Sequence, residues 1–196
     1  CDKQVLSFAS KMSAFAMGPG LSRNSNTQRL IRSLVGKIQK PLVLDADGIN
    51  AFEGIGNKLK KRKCQIVITP HPGEMSRLIG KKTEYIQKNR VSVAKKFSKE
   101  INGVVVLKGH KTVVAYKDMF YINESGNPGM ATGGVGDILT GIIASLIGQG
   151  LDPFGAAKLG CYVHGLAGDL AVREKGEISL TATDILSYLP KVFKKL

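Results

Sequence analysis

The chain has 196 residues, of which 43% are hydrophobic, and its 29 Lys and Arg against 15 Asp and Glu give a formal net charge of +14. This length suffices for one well-filled core, so we predict a single domain over residues 1–196. No apolar run approaches the roughly 18 residues of a membrane-spanning helix, and no signal-peptide pattern occurs near the start. We therefore expect a cytoplasmic protein without a membrane partner. The three cysteines lack metal-ligand spacing and support neither a disulfide framework nor a zinc site.

The basic excess is compatible with nucleic acid, an anionic membrane surface, or small molecules that carry phosphates. Basic residues cluster at 58–63, 81–82, 95–96 and 194–195, in segments typical of solvated helix ends and loops. Aromatic residues, which stack on single-stranded nucleic acid, are not interleaved with them. We therefore expect no nucleic-acid partner and favour phosphate-bearing small molecules.

The first half of the chain alternates short apolar strands with helices. Residues 12–17 predict a buried strand, followed by a helix capped near Ser25 or Asn26. Further strands are predicted at 42–44 and 65–69. Each of these strands ends in a polar loop that leads into helical turns.

The second half begins with a helix predicted from Thr83 to Ile101, whose apolar residues share one face, and a strand at 103–107. Segments 113–116 and 119–122 predict an antiparallel hairpin. Three more helices are predicted after it. They cover 138–147, Pro153 to about Glu174, and a last segment opened by a capping box of Thr181 and Asp184.

Apolar strands that alternate with helices indicate a mostly parallel sheet covered on both faces, with the hairpin in the C-terminal half. The predicted fold class is α/β, in three layers αβα. In such sheets ligands bind at the carboxyl ends of the strands. We expect four polar, Gly- and Pro-rich loops to converge there with the Gly-rich segment 127–137. These loops are 18–22, 45–48, 69–74 and 108–112.

The segment 127–137, NPGMATGGVGD, opens the helix predicted at 138–147. The start of a helix exposes backbone N–H groups without intrahelical partners, at the positive end of the helix dipole. Gly133, Gly134 and Gly136 let the backbone approach a ligand closely and adopt positive φ where needed. The pattern predicts an anion site, most naturally for phosphate.

Asp137 is unexpected in such a site, because its carboxylate would repel a phosphate bound to the same amides. A catalytic base or a metal partner beside the phosphate explains it better. Aspartate is also a common first-turn residue, and Gly-rich turns often form tight corners without a ligand. The segment by itself leaves that purely structural explanation open.

Other candidates follow the predicted strands. Residues 108–112 carry a lysine, a glycine and a threonine that suit a nucleotide phosphate or ribose, although strand-end lysines are commonly just solvated. His71 lies between two prolines on a stiff turn. Asp45 and Asp47 could bind a metal, hold substrate hydroxyls or cap the following helix, which is the commonest use.

Together these motifs resemble the ADP-dependent NAD(P)H-hydrate dehydratases of the ribokinase-like superfamily. The resemblance covers essentially the whole chain, and TPHPGE and NPGMATGGVGD are its most specific parts. The matching motifs are GPGL, LDADGIN, TPHPGEMSRL, VVLKGHKTVV, NPGMATGGVGDILTGIIASLIGQG and AAKLGCYVHGLAGDLA. The resemblance implies dehydration of the S epimer of NADH or NADPH hydrate, with ADP converted to AMP and phosphate, or ATP to ADP and phosphate.

The resemblance also implies a role for each matching position. The AMP part of the nucleotide would contact Lys108, Gly109, His110, Lys111 and Thr112. The nucleotide phosphates would bind the amides of Gly133, Gly134 and Gly136. The hydrated nicotinamide would be held by Gly20, Ser22, His71 and Asp137, with Asp137 as the catalytic group. Mg²⁺ would arrive with the nucleotide and not in a protein metal site, and a homo-oligomer is expected.

The sequence departs from the family pattern at two loop positions and at its start. Ser22 stands where the family usually has Gly, and Val135 where it has Thr or Ser. If Ser22 must adopt positive φ, the cost is about 1 kcal/mol. The family domain begins with a further strand, Gly-rich turn and helix, so we expect an N-terminally truncated domain.

Two alternatives stay open at this point. A small-molecule kinase of the hydroxyethylthiazole kinase type would share the GGxGD helix, although the TPHPGE loop favours the dehydratase. A catalytically idle domain that binds nucleotide or nucleic acid would also fit the charge. The choice of ADP or ATP, and of NADH or NADPH hydrate, is open as well.

Overall fold

The computed structural model describes residues 2–62 and 64–196, and these form a six-stranded sheet in which the strands follow chain order. The strands are β1 (Phe15–Met17), β2 (Leu42–Leu44), β3 (Ile66–Ile68), β4 (Val104–Leu107), β5 (Val113–Tyr116) and β6 (Met119–Ile122). Strands β1 to β4 are parallel, whereas β5 and β6 join antiparallel as a hairpin. The predicted mostly parallel sheet with a hairpin in the C-terminal half is confirmed.

Helices connect and cover these strands. They are α1 (Asp2–Ser10), α2 (Ser25–Lys37), α3 (Ala46–Asn50), α4 (Pro72–Ile79), α5 (Thr83–Lys88), α6 (Arg90–Ile101), α7 (Val135–Gly148), α8 (Pro153–Lys175) and α9 (Ala182–Phe193), with short 3-10 helices at Gly56–Lys61 and Pro128–Met130. Within the described part of the chain, no helix is long and apolar enough to cross a membrane. Cys1 and Lys63, which belong to the cysteine and basic-cluster predictions, lie outside the described residues.

The core lies on both faces of the sheet because successive strand residues point to opposite sides. Leu44 and Ile68 pack with the first six helices, whereas Val43 and Val67 pack with α7, α8 and α9. The three-layer αβα architecture is therefore confirmed. Helices α7 and α8 are close because Gly160 of α8 has no side chain, and a Cβ there would lie 2.8 Å from Ile143 Cγ1.

The prediction of one helix from Thr83 to Ile101 is wrong, because Asn89 divides it into α5 and α6. Asn89 has φ −125° and ψ 31°, outside the helical region, and its Nδ2 donates to the carbonyl of Tyr85 at 2.9 Å. A side chain that bonds the preceding backbone competes with helix continuation. The apolar spacing persists across the break, which is why periodicity does not reveal it.

Other differences concern the ends of elements. The N-cap of α2 is Asn24, whose side chain accepts from Asn26 N at 2.9 Å, one residue before the predicted region. Strand β1 begins at Phe15 and not at residue 12, and α1 was not predicted. The Thr181–Asp184 capping box is confirmed, with Asp184 Oδ2 accepting from Thr181 N at 2.9 Å.

Candidate active site

The strand-end loops meet at a buried ion pair. Lys108, directly after β4, places Nζ 2.7 Å from Oδ1 of Asp45, directly after β2. The other carboxylate oxygen, Asp45 Oδ2, accepts from Thr140 Oγ1 of α7 at 2.8 Å. Asp45 is 1% exposed and holds the N-cap position of α3, but its carboxylate accepts no capping hydrogen bond from the described backbone. Its carboxylate instead joins two loops to the helix at which the anion site was predicted.

The Gly-rich segment 127–137 lies against this ion pair. A Cβ at Gly136 would be 3.2 Å from Lys108 Nζ and 3.7 Å from Asp45 Oδ2. Helix α7 begins at Val135, three residues earlier than predicted, so Gly136 and Asp137 lie in its first turn. The start of a helix leaves backbone N–H groups without an i−4 partner, and this helix start lies beside Lys108.

The conformation of the Gly-rich segment fits an open anion site. Gly134 is the N-cap of α7 with φ +85°, a conformation that glycine adopts at no steric cost. Gly133, Gly134 and Asp137 are exposed. Among the ion pairs of residues 2–62 and 64–196, none involves Asp137. The carboxylate at the helix start is therefore available to a ligand.

The segment 108–112 divides into a buried and an open part. The Lys108 side chain is only 19% exposed and points to Asp45, with Glu74 Oε2 4.0 Å away on its other side. Gly109, His110 and Lys111 are exposed, and Thr112 Oγ1 donates to the Gly109 carbonyl at 3.0 Å. The structure thus brings Lys108 into the polar cluster and leaves the other four residues as a loop at its rim.

His71 caps α4. Its Nδ1 accepts from Gly73 N at 3.0 Å, its backbone N–H donates to Glu74 Oε2 at 2.8 Å, and its Nε2 lies 3.4 Å from Glu74 Oε1. Burial lowers the pKa of His71, and the positive charges of Lys108 and Arg77 lower it further against the opposing effect of Glu74. Nδ1 can accept this hydrogen bond only when it carries no proton, which agrees with the lowered pKa of His71. Half of the side chain remains exposed to a ligand.

The loop 18–22 approaches the same cluster. Ser22 has φ +77°, so the cost of about 1 kcal/mol for a side chain in this region applies. Its backbone N–H donates to Asp47 Oδ2 at 2.8 Å, and Gly20 has φ +69°. A Cβ at Gly18 would overlap the carbonyl of Asp45. Asp47 therefore supports the loop that precedes α2.

Helix α8 contributes residues to which the sequence analysis assigned no role. His164 Nε2 lies 3.1 Å from the carbonyl of Val135, the first residue of α7, and burial lowers the His164 pKa to about 4. The neutral ring therefore donates to that carbonyl. Asp169 accepts from Gly126 N and from Asn127 Nδ2, each at 2.9 Å. The motif HGLAGD contains both residues, but nothing in that local pattern distinguishes them from ordinary residues of a helix.

Glu74 of α4, which is 5% exposed, was likewise not recognised from the sequence as part of the cluster.

Among the residues that the structure describes, no group of three or more His, Cys, Asp or Glu could hold a metal ion. Asp45 and Glu74, the buried carboxylates of the cluster, both face Lys108. The exposed Asp137 is the carboxylate nearest in sequence to the open amides.

Comparison with known proteins identifies relatives over nearly the whole chain. The family model described as NAD(P)H-hydrate dehydratase matches residues 1–191. The bifunctional NAD(P)H-hydrate repair enzyme Nnr of Moorella thermoacetica is 47% identical over 193 residues, which are 98% of this chain and 36% of that protein. The chain thus spans about a third of the length of the bifunctional relatives.

Solved structures agree. The ADP/ATP-dependent NAD(P)H-hydrate dehydratase of Bacillus subtilis, co-crystallised with ATP and Mg²⁺, is 33% identical with a TM-score of 0.82, and the match covers 96% of this chain and 68% of that one. A ribokinase-like superfamily protein of Enterococcus faecalis is 27% identical with a TM-score of 0.84, covering 98% and 66%. The ribokinase-like fold is confirmed. The chain belongs to the NAD(P)H-hydrate dehydratase family.

Proposed function

We propose that this chain dehydrates (S)-NAD(P)H hydrate to NAD(P)H and uses ADP, which becomes AMP and phosphate, or ATP in the same role. The supporting observation is the contact of Lys108 and Asp45 with Gly136 at the start of α7. It joins the loop proposed for the nucleoside part to the amides proposed for the phosphates. The exposed carboxylate of Asp137 lies one residue further on.

The nucleotide would lie across this junction. Lys108 would place its ammonium group beside the phosphates, while the rim residues Gly109, His110, Lys111 and Thr112 contact the AMP part. The terminal phosphoryl group would accept hydrogen bonds from the amides of residues Gly133, Gly134 and Gly136. Mg²⁺ fits as an ion carried by the nucleotide, because the buried carboxylates are engaged with Lys108 and Asp137 is left exposed. When bound, it would neutralise charge on the phosphate oxygens.

The hydrated nicotinamide would be held on the opposite side of Asp137. Gly20 and Ser22 present a loop supported by Asp47, and His71 presents the exposed half of an uncharged ring. A neutral imidazole can hydrogen-bond the uncharged hydrated nicotinamide ring without repelling the nearby Lys108.

The reaction needs one base and one leaving group. Asp137 takes the proton of the ring hydroxyl as its oxygen attacks the terminal phosphoryl group, and the bond from that phosphorus to AMP breaks. The amides of the first turn of α7 stabilise the charge that develops on the phosphoryl oxygens. The ring nitrogen lone pair then expels phosphate, the neighbouring carbon gives its proton to the departing phosphate, and the dihydropyridine is restored. Phosphate leaves far more readily than hydroxide, which is why the nucleotide is consumed.

Resemblance to the family favours a single ribokinase-like domain that acts as a homo-oligomer in the cytoplasm. The basic excess of +14 suits two polyanionic substrates, because it raises their local concentration at the protein surface.

A spectrophotometric assay tests the proposal. The chain is mixed with NADH hydrate and Mg²⁺, with ADP, with ATP or without nucleotide, and recovery of NADH absorbance is followed together with AMP and phosphate release. We expect NADH absorbance to recover only when ADP or ATP is present, with one phosphate released for each NADH formed. A stable phosphorylated product would favour a kinase instead. Binding to RNA or DNA that weakens with salt, without recovery of NADH, would favour the idle binding domain.

A further inference from the structure

We propose that Asp169 is a positioning residue for the segment 126–137, and that it fixes the first-turn amides of α7 before the nucleotide binds. The inference rests on the proposed function for its kinetic consequence. Asp169 lies on α8 and makes two hydrogen bonds to the start of the segment, from Gly126 N and Asn127 Nδ2, each at 2.9 Å. A carboxylate is the acceptor that can receive both donors at once, and its charge strengthens both bonds.

Helix α8 also holds the other end of the segment. His164 precedes Asp169 by five positions, which at about 3.6 residues per turn places the two side chains roughly 140° apart around the helix axis. His164 binds the carbonyl of Val135 at 3.1 Å, and Asp169 binds Gly126 and Asn127. The segment is therefore attached to one rigid helix at its beginning and at its end.

Met130 of the segment, and Ser125 directly before the segment, pack on α8. A Cβ at Gly165 would lie 2.6 Å from the carbonyl carbon of Ser125, and a Cβ at Gly168 would overlap the sulfur of Met130. Ser125 Oγ also donates to the carbonyl of Tyr162 at 3.0 Å. These contacts leave the amides of the Gly-rich part exposed while its flanks are fixed.

The physical reason for such attachment is the entropy of a glycine-rich loop. Gly129, Gly133 and Gly134 have many accessible conformations, and a loop that must be ordered by its ligand binds and stabilises that ligand less well. Amides that stabilise developing charge act best when they are already in place. Asp169 acts through Gly126 and Asn127, so its effect should concern the terminal phosphoryl group and leave the AMP part unaffected.

Asp152 provides a matched control on the same helix. It caps the start of α8 and accepts from Phe154 N and Gly155 N, each at 3.0 Å, so its removal also costs two hydrogen bonds to a carboxylate. The experiment compares wild type, Asp169→Ala, Asp169→Asn and Asp152→Ala. It measures the melting temperature, the turnover of NADH hydrate with ADP, the affinity for AMP by calorimetry, and NMR order parameters of the amides in residues 131–136.

We expect Asp169→Ala to lower kcat by about 10- to 100-fold, less than the roughly 100- to 1,000-fold loss on removing a donor outright, because the amides remain and only their order is lost. The AMP affinity should stay within about twofold of wild type. The kcat of Asp169→Asn should lie between those of wild type and Asp169→Ala, because the amide oxygen can still accept from Gly126 N. Asp152→Ala should lower the melting temperature and leave kcat unchanged. The order parameters of residues 131–136 should fall below about 0.6 in Asp169→Ala alone.

Two results would overturn the inference: order parameters that do not change in Asp169→Ala, or a parallel loss of AMP affinity and kcat in both alanine variants. Failure of the proposed function gives a different pattern. In that case the wild type itself would not restore NADH, while the order parameters would still distinguish Asp169→Ala from Asp152→Ala.

Discussion

At the scale of single residues, the ion pair of Lys108 with Asp45 joins positions 63 residues apart. A buried pair adds little net stability, because desolvation opposes the attraction, but removing one partner leaves a costly buried charge. Its consequence is placement: the ammonium group is held beside Gly136, and Thr140 holds the other oxygen of the carboxylate. A lysine after a strand suggests a solvated side chain, and only its neighbours in space show otherwise.

Asp137 permits the sharpest test at this scale. Asp137→Asn should lower kcat by about 1,000-fold or more, because the amide cannot accept the hydroxyl proton, while ADP binds about as tightly as before. Turnover of NADH hydrate and calorimetric titration with ADP measure the two effects. Asp118→Asn, at an exposed carboxylate of the β5–β6 turn, is the control and should match wild type. Equal losses of binding and turnover would contradict the role as base.

At the scale of elements, α8 orders both α7 and the Gly-rich segment. The small residues Gly160 and Gly168 of α8 allow this close packing, because they face Ile143 of α7 and Met130 of the Gly-rich segment. The break at Asn89 was missed because it depends on one hydrogen bond, from the Asn89 side chain to the Tyr85 carbonyl, and leaves the apolar spacing unchanged. Periodicity reports which face is buried, and says less about where a helix is interrupted.

Gly165 provides a prediction about this packing. Gly165→Ala should lower the free energy of unfolding by about 1–3 kcal/mol, because the new methyl group would meet the backbone of Ser125, which cannot rotate away. Urea unfolding measures the change. The control is Gly141→Ala on the exposed side of α7, where, beyond the adjacent residues and the backbone of α7 itself, no atom of the described residues lies within 4 Å of the new Cβ. There the higher helix propensity of alanine should raise stability by up to about 1 kcal/mol. Stabilisation by both substitutions would contradict the packing described.

At the scale of the whole molecule, stability should depend on pH through the buried His164. Its pKa falls from an ordinary value of 6.5 to about 4 when the chain folds. Between about pH 6.5 and pH 4, His164 is therefore protonated in the unfolded chain and neutral in the folded protein. The contribution of His164 is complete above pH 6.5 and declines by about 3 kcal/mol as the pH falls to 4.

His164→Gln isolates this effect, because glutamine keeps a donor for the Val135 carbonyl and does not titrate. Urea unfolding of wild type and variant between pH 7 and pH 4 should give curves that differ in slope, with wild type losing more stability on acidification. Parallel curves would show that His164 is protonated in the folded protein as easily as in the unfolded chain.

The sequence by itself determined the fold class and most of the local chemistry. Apolar runs such as 104–107 are buried on both sides and identify parallel core strands, and the glycines before Val135 identify an open helix start, because both properties depend on near neighbours in the chain. Only the tertiary structure decided which polar residues meet. Asp45 meets Lys108 across 63 positions of the chain and Thr140 across 95. Asp169 meets Asn127 across 42 positions. Such contacts arise from the order and register of the strands and the packing of helices, which no local pattern of residues encodes.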